Sequence, residues 1–157
     1  MQLEKIKSHS VGFTLLELLV VIAVIALVLA VAVPKYREMQ LNTTETMVVR
    51  ELQTIGQAQT QYQSQFGKYA GNLPELGPPT AGEPGPAAAN LIPAGLASGD
   101  KNGYLFALTI TPAGYSINAN PKVYRGTGRR TFYLDQDGTV HQNWGQEPAN
   151  AGSQEYR

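Results

Sequence analysis

The chain of 157 residues contains no cysteine, only two histidines and no excess of charge of either sign. The missing cysteine excludes disulfides, thiolate metal sites and a cysteine nucleophile. Twelve Lys and Arg balance twelve Asp and Glu, so no overall basic field attracts nucleic acid. The motifs G-x-S-x-G, H-E-x-x-H and the P-loop are also missing. We therefore expect no enzyme, no bound cofactor and no specific nucleic-acid site.

Charge is nearly missing from residues 13–33, where hydrophobic residues concentrate. The run FTLLELLVVIAVIALVLAVAV carries a single charge, Glu17. At about 1.5 Å per residue, a helix of this length spans the hydrocarbon core of a bilayer. Lys5 and Lys7 precede it, which predicts a cytoplasmic N-terminus and a C-terminal part across the membrane. An ordinary secretory signal has a shorter apolar core, so a plain membrane anchor is the main alternative.

The acid inside the apolar run has no purpose in a plain anchor. A carboxylate in hydrocarbon costs about 2.5 kcal/mol or more unless it is paired or protonated. Residues 13–33 contain no cation, so a partner for Glu17 should come from another chain. If the chain is cut after Gly12, the new amine of Phe13 on a neighbouring copy is the nearest candidate.

Residues 12–17, GFTLLE, followed by the apolar run and Pro34, resemble the class III signal of type IV pilins and type II secretion pseudopilins. The resemblance is close over residues 12–34 and extends only to the layout of the remaining chain. It implies that residues 1–12 are a leader, which prepilin peptidase removes between Gly12 and Phe13 before it N-methylates Phe13. It also implies that Glu17 is the assembly glutamate and that Pro34 is the helix-perturbing proline.

The resemblance further implies a function, partners and a location. The expected function is that of a structural subunit of a type IV pilus-like filament, serving adhesion, motility or surface attachment. The partners would be further copies in a helical homo-oligomer, prepilin peptidase and the inner-membrane assembly machinery. The subunit would reside in the bacterial inner membrane and then in an extracellular or periplasmic filament. A type II secretion pseudopilin is the alternative, followed by an uncleaved membrane-anchored binding module. Major pilins often carry a C-terminal disulfide, which this chain cannot form.

Residues 13–34 are predicted to form the apolar transmembrane or filament-core helix, and residues 35–66 to continue it as an amphipathic segment. Apolar residues recur at steps of three and four, which marks one helix face: Val48, Leu52, Ile55, Ala58, Tyr62 and Phe66. Gly67 is a suitable C-terminal stop. The predicted helix therefore runs from about residue 13 to residue 66, kinked or loosened at Pro34.

The rest of the chain divides into a loop-rich segment and a strand-rich segment. Residues 67–102 contain 13 Gly or Pro, which predicts a surface loop region with brief helical turns at 73–76 and 87–96. Residues 103–157 predict an antiparallel sheet of about four strands, at 103–110, 115–119, 131–134 and 139–142, and a loose polar tail from residue 144. The expected fold class is α+β, with the second half of the long helix packed on the sheet.

Two charged groups in the strand-rich segment need separate interpretation. Asp135 and Asp137 in DQDG resemble the start of a calcium loop, but Asp-Gly between two strands is a strong hairpin signal. A hairpin turn is the favoured interpretation, and a metal site is a minor hypothesis. The short basic cluster of Arg125, Arg129 and Arg130 is predicted to be a solvated loop.

Overall fold

A computed structural model of the chain describes residues 13–157, so the predicted leader, residues 1–12, lies outside the described residues. The described residues divide into two compact units, with the boundary between Glu38 and Met39. Helix α1, Leu15–Phe66, contributes to both. It contains Pro34 and is helical at every residue, which confirms the predicted length. It ends at Gly67, whose φ of 72° is the left-handed conformation that glycine adopts readily.

The second unit combines the end of α1 with two short helices and one sheet. The short helices are α2, Leu73–Leu76, and α3, Ala94–Ala97. The strands are β1, Asp100–Lys101; β2, Tyr104–Thr111; β3, Gly114–Pro121; β4, Arg130–Asp135; β5, Val140–Trp144; and β6, Gln154–Glu155. All neighbouring pairs are antiparallel, in chain order.

The α+β fold is therefore confirmed, but the sheet has six strands where about four were predicted. The four predicted strands correspond to β2 to β5. The two additional strands, β1 and β6, have two residues each and form the edges of the sheet. A strand is predicted from alternating apolar and polar residues, and two polar residues show no such alternation.

The core of the second unit lies between α1 and one face of the sheet. The predicted apolar face of α1 is buried from Val48 to Tyr62, and Phe66 packs against it while partly exposed. The sheet contributes side chains that alternate along the strands, as expected when one face is covered. The fully buried sheet residues of this cluster include Tyr104, Ile117, Ala119 and Phe132.

The segment predicted as a surface loop region supplies part of that core. Its buried hydrophobic residues are Ala70, Leu73, Leu76, Ala89, Ile92, Leu96 and Ala97. Tyr62 on α1 donates a hydrogen bond of 2.6 Å to the carbonyl of Pro86. The helical turn predicted at 73–76 is confirmed as α2. The second turn begins later than predicted, because Pro93 cannot lie inside a helix without breaking it and instead precedes α3.

The C-terminal tail is ordered, so the prediction of a loose tail was wrong. Strand β6 pairs with β5, and the Tyr156 amide donates to the Val140 carbonyl at 2.8 Å. Ala149 is buried, and its carbonyl accepts a hydrogen bond from Nδ2 of the Asn118 side chain at 2.8 Å. The tail is fixed by backbone hydrogen bonds, by the hydrogen bond from the Asn118 side chain and by the ring of Tyr156, none of which its polar composition indicated.

A glycine in this core provides a test of the packing. Gly128 is buried, and a Cβ atom there would overlap the Tyr104 ring, which is itself fully buried. Since the Tyr104 hydroxyl donates to the Arg130 carbonyl at 2.9 Å, the ring has little freedom to move. We expect Gly128→Ala to lower the free energy of unfolding by about 1–3 kcal/mol, measured by denaturant titration.

Gly95→Ala in α3 is the matched control, because a Cβ there has no neighbour within 4 Å. It should leave stability unchanged or raise it slightly. Equal losses in the two variants would contradict the described position of Tyr104.

Candidate functional site

The first turn of α1 holds the predicted assembly residue in a capped position. The Thr14 hydroxyl accepts a hydrogen bond from the Glu17 backbone amide at 3.2 Å. The Thr14 carbonyl accepts from the Leu18 amide, also at 3.2 Å. Thr-x-x-Glu is the sequence pattern of a capping box. An acid in the first turn also stabilises the helix, because it lies near the positive end of the helix dipole. The same four residues thus start the helix and place Glu17 at its first turn.

The carboxylate of Glu17 has no partner within residues 13–157. None of those residues forms an ion pair or hydrogen bond with it. The first cation after the apolar run is Lys35, and it pairs with Glu38 at 3.4 Å. Within the described residues, therefore, no cation neutralises the carboxylate of Glu17.

The apolar run of α1 is exposed in the single chain. Large hydrophobic side chains are exposed from Phe13, at 78%, to Val33, at 48%. Among the described residues, α1 is the one helix long and apolar enough to cross a membrane, and its most apolar window has no buried residue. An apolar surface of this length requires lipid or other protein chains around it.

The apolar run is also the part of the chain that matches a known family model. A model of the prokaryotic N-terminal methylation motif matches residues 12–33. The chain carries the class III signal of type IV pilins and pseudopilins. This signal indicates a pilin- or pseudopilin-like precursor with a membrane-anchoring N-terminus. Comparisons with curated proteins and with solved structures give no match. The match ends one residue before Pro34, so the rest of the chain is characterised by its fold alone.

A second charged centre, which was not predicted from the sequence, lies in the unit formed by residues 39–157. Glu45 on α1 is fully buried. Its carboxylate accepts from the Arg129 backbone amide at 2.8 Å, from Arg130 Nε at 2.8 Å and from Arg130 Nη2 at 2.7 Å. Arg129 Nη2 adds an ion pair at 3.2 Å. This centre connects the helix to the loop before β4 and to β4 itself.

The prediction that the basic cluster is a solvated loop is therefore wrong for Arg129 and Arg130. Arg130 lies over the rings of Trp144, Tyr156 and Phe132, with 4.8, 5.3 and 5.6 Å between its guanidinium carbon and the ring centroids. Its Nη1 donates to Gln142 Oε1 at 2.8 Å. Of the predicted cluster, Arg125 alone is exposed.

A sequence signal for this centre exists. Glu45, Val48 and Leu52 are spaced by three and four, so Glu45 extends the apolar face of the helix by one turn. An acid on a buried face predicts a buried cation, because an unpaired charge there is very costly. The sequence shows the acid and the two arginines, but it does not predict that they are in contact in the folded chain.

The electrostatics of Glu45 combine opposing effects. Burial by itself raises the pKa of this carboxyl, because it penalises the charged form. Hydrogen bonds from the Arg129 backbone and from both guanidinium groups, with the charge of Arg130, outweigh burial and hold the pKa below its usual value. Glu45 is consequently charged in the folded chain at neutral pH.

The weak calcium candidates form a turn. Asp135 Oδ1 accepts from the Asp137 amide at 3.0 Å, and its Oδ2 accepts from the Tyr133 hydroxyl at 3.2 Å. The Asp135 carbonyl accepts from the Gly138 amide at 3.1 Å, with a Gly138 φ of 77°. The predicted hairpin turn between β4 and β5 is confirmed. Within residues 13–157, no three His, Asp or Glu side chains are grouped as metal ligands would be.

The Glu45 centre generates a prediction for stability. We expect Glu45→Ala to cost about 3–5 kcal/mol of unfolding free energy, because it leaves two guanidinium groups partly buried without their anion. Glu83→Ala is the control, since Glu83 is an exposed acid and should change little. Chemical denaturation of the full chain in detergent measures both.

The direction of the pKa shift gives this prediction its pH dependence. The folded pKa of Glu45 lies below the unfolded one, so its stabilisation is fully present above the unfolded value, about pH 4.3. The stabilisation is lost as the pH falls through the lower, folded value. In Glu45→Gln, the unfolding free energy should lack the part of its decline at low pH that comes from protonation of Glu45. An identical decline in wild type and Glu45→Gln below about pH 4.3 would contradict the assignment.

Proposed function

We propose that the chain is a structural subunit of a type IV pilus-like filament, assembled through the apolar half of α1 after cleavage between Gly12 and Phe13. The observation that carries the proposal is Glu17, an acid within a class III signal that has no partner among residues 13–157. Its partner is the free amine of Phe13, N-methylated, on an adjacent copy. Phe13, Glu17 and Pro34 act in assembly, and none of them is catalytic.

Assembly then follows from the cost of an unpaired charge. Prepilin peptidase removes the leader and creates the amine, while residues 13–33 hold the subunit in the inner membrane. An assembly machine transfers the subunit into the filament, where the carboxylate and the amine neutralise each other. Contacts between apolar helices replace lipid contacts, and the C-terminal unit faces solvent. Pro34 loosens the helix where the apolar segment ends.

The capped first turn supports this role for Glu17. Thr14 fixes the start of the helix through its hydroxyl and its carbonyl. The carboxylate four residues after Phe13 is then held at a defined distance from the cleaved end. A fixed position matters, because the pairing must recur at every subunit of a helical array.

A pseudopilin of type II secretion is the second candidate, favoured by the absence of cysteine. It uses the same signal and the same pairing but forms a short periplasmic filament. Negative-stain imaging of the shed surface fraction separates the two, because only a pilus appears as long fibres. Adhesion, motility and surface attachment are functions of the pilus form.

Cleavage is tested at Gly12, which lies outside the described residues. Replacement by a bulky side chain, Gly12→Val, should block the peptidase, because a small residue is what the signal offers at the cut. Mass spectrometry should then detect a chain that begins at Met1, whereas the wild-type chain begins at an N-methylated Phe13. A wild-type N-terminus that is uncut would support the uncleaved anchor instead.

Assembly is tested at Glu17. Glu17→Val should leave cleavage largely intact and reduce the assembled filaments at least about tenfold, since loss of one desolvated charge pair costs several kcal/mol at each interface. Sheared filaments quantified by immunoblot measure assembly. Glu83→Ala is the matched acid control. Filament yields equal to wild type in Glu17→Val would exclude the proposed pairing.

A further inference from the structure

The segment from Lys101 to Leu134 contains no acidic residue. Its five cations are Lys101, Lys122, Arg125, Arg129 and Arg130. Their partners within residues 13–157 are three carboxylates, those of Glu51, Asp100 and Glu45. Five cations against three anions leave two positive charges in excess. The chain is neutral as a whole, so this excess is a local property of the segment.

The loop between β3 and β4 presents part of that charge. Its tip is tight, with the Thr127 amide donating to the Val123 carbonyl at 2.8 Å and the Arg125 amide donating to the Gly128 carbonyl at 2.7 Å. Arg125 has a φ of 61°, a left-handed conformation that is unfavourable for most residues other than glycine. The side chain is exposed, and no carboxylate among the described residues pairs with it. An arginine is thus presented at a position that favours glycine or asparagine.

Apolar and aromatic side chains accompany the charge. Val123 at the loop tip is 58% exposed, and Trp144 at the end of β5 is 59% exposed. Trp144 lies beside both arginines of the Glu45 centre, with 5.7 Å from its ring centroid to the Arg129 guanidinium carbon. We call this surface the basic loop patch: Lys122, Val123, Arg125, Arg129 and Trp144.

The covalent chain limits how far the patch can be from the membrane. Arg129 Nη2 donates to Asn42 Oδ1, and Asn42 is nine residues after Val33, the last residue of the apolar run. Nine residues span at most about 30 Å even when fully extended. Whatever the arrangement of the two units, Asn42, which Arg129 of this surface contacts, remains within that contour length of the end of the span.

We propose that the basic loop patch docks on the anionic lipid headgroups of the bilayer that holds residues 13–33. Clustered cations near an anionic leaflet gain about 1 kcal/mol each, and tryptophan favours the membrane interface. An exposed valine at the loop tip fits shallow insertion between headgroups. The inference rests on the proposed function in one respect, that the subunit resides in a membrane before assembly.

Trp144 is the only tryptophan of the chain, so it reports on the patch directly. The experiment uses the full chain reconstituted at one copy per nanodisc. The nanodisc lipid is either phosphatidylcholine alone or phosphatidylcholine with roughly 30% phosphatidylglycerol, which supplies the anionic headgroups. In the anionic discs we expect Trp144 emission to shift to shorter wavelength and acrylamide quenching to fall. Both effects should reverse at high salt, because screening weakens the attraction.

Two variants locate the effect. Arg125→Asn keeps a residue suited to the left-handed backbone and removes the unpaired charge; it should reduce the docking equilibrium constant about fivefold. Val123→Ser should reduce it with the charge retained. Arg50→Asn is the matched control, because Arg50 is an exposed cation on α1 outside the patch. It should leave the Trp144 response unchanged.

Four results would overturn the proposal. The first is equal Trp144 emission and quenching in the two lipid compositions. The second is an equal loss of response in Arg50→Asn and Arg125→Asn. The third is protection of Trp144 by a duplex oligonucleotide in zwitterionic discs, which would assign the patch to nucleic acid. The fourth is protection that appears only with several copies per disc, which would assign it to a second copy of the chain.

Membrane residence is measured separately, by resistance of the chain to alkaline carbonate extraction from vesicles. A chain that is extracted contradicts the membrane stage of the proposed function. A chain that resists extraction while Trp144 remains equally exposed in both compositions contradicts only the basic loop patch. The two failures are therefore distinguishable.

Discussion

The buried carboxylate of Glu45 is the constraint on which the arrangement of the C-terminal unit depends. It is fully buried, so it must be paired, and its partners come from a segment more than 80 residues later in the chain. Satisfying it requires the loop before β4 to lie against the first buried turn of α1. The position of β4 then determines where β3 and β5 lie, because register is fixed once one face is covered.

The same helix contains a second acid for which the fold offers no cation. Glu45 is buried against the sheet, whereas Glu17 is exposed within the apolar run. The first is neutralised by residues of the same chain, and the second has no partner within residues 13–157. The chain thus completes one unit by itself and leaves the other incomplete.

The parts of the fold that the sequence predicts well are those with a repeating hydrophobic pattern. The face from Val48 to Tyr62 and the strands β2 to β5 follow periods of 3.6 and 2, and the structure confirms them. Edge strands of two polar residues carry no such period. The pairing of Glu45 with Arg129 and Arg130 is a long-range contact between polar residues, and neither propensity nor periodicity encodes which acid meets which base. The charge of Glu17 was readable because it interrupts an otherwise uniform run.

Without cysteine, the C-terminal end of the chain must be fixed by noncovalent contacts, and these converge on the same centre. The Tyr156 amide donates to Val140, and the Tyr156 ring meets Phe132 at 5.8 Å between centroids and the Arg130 guanidinium at 5.3 Å. Arg130 in turn binds Glu45. The last strand is therefore connected to the helix through one cation shared between a carboxylate and aromatic rings. A disulfide would hold these elements together independently of pH, whereas this network depends on the ionisation of a single buried acid.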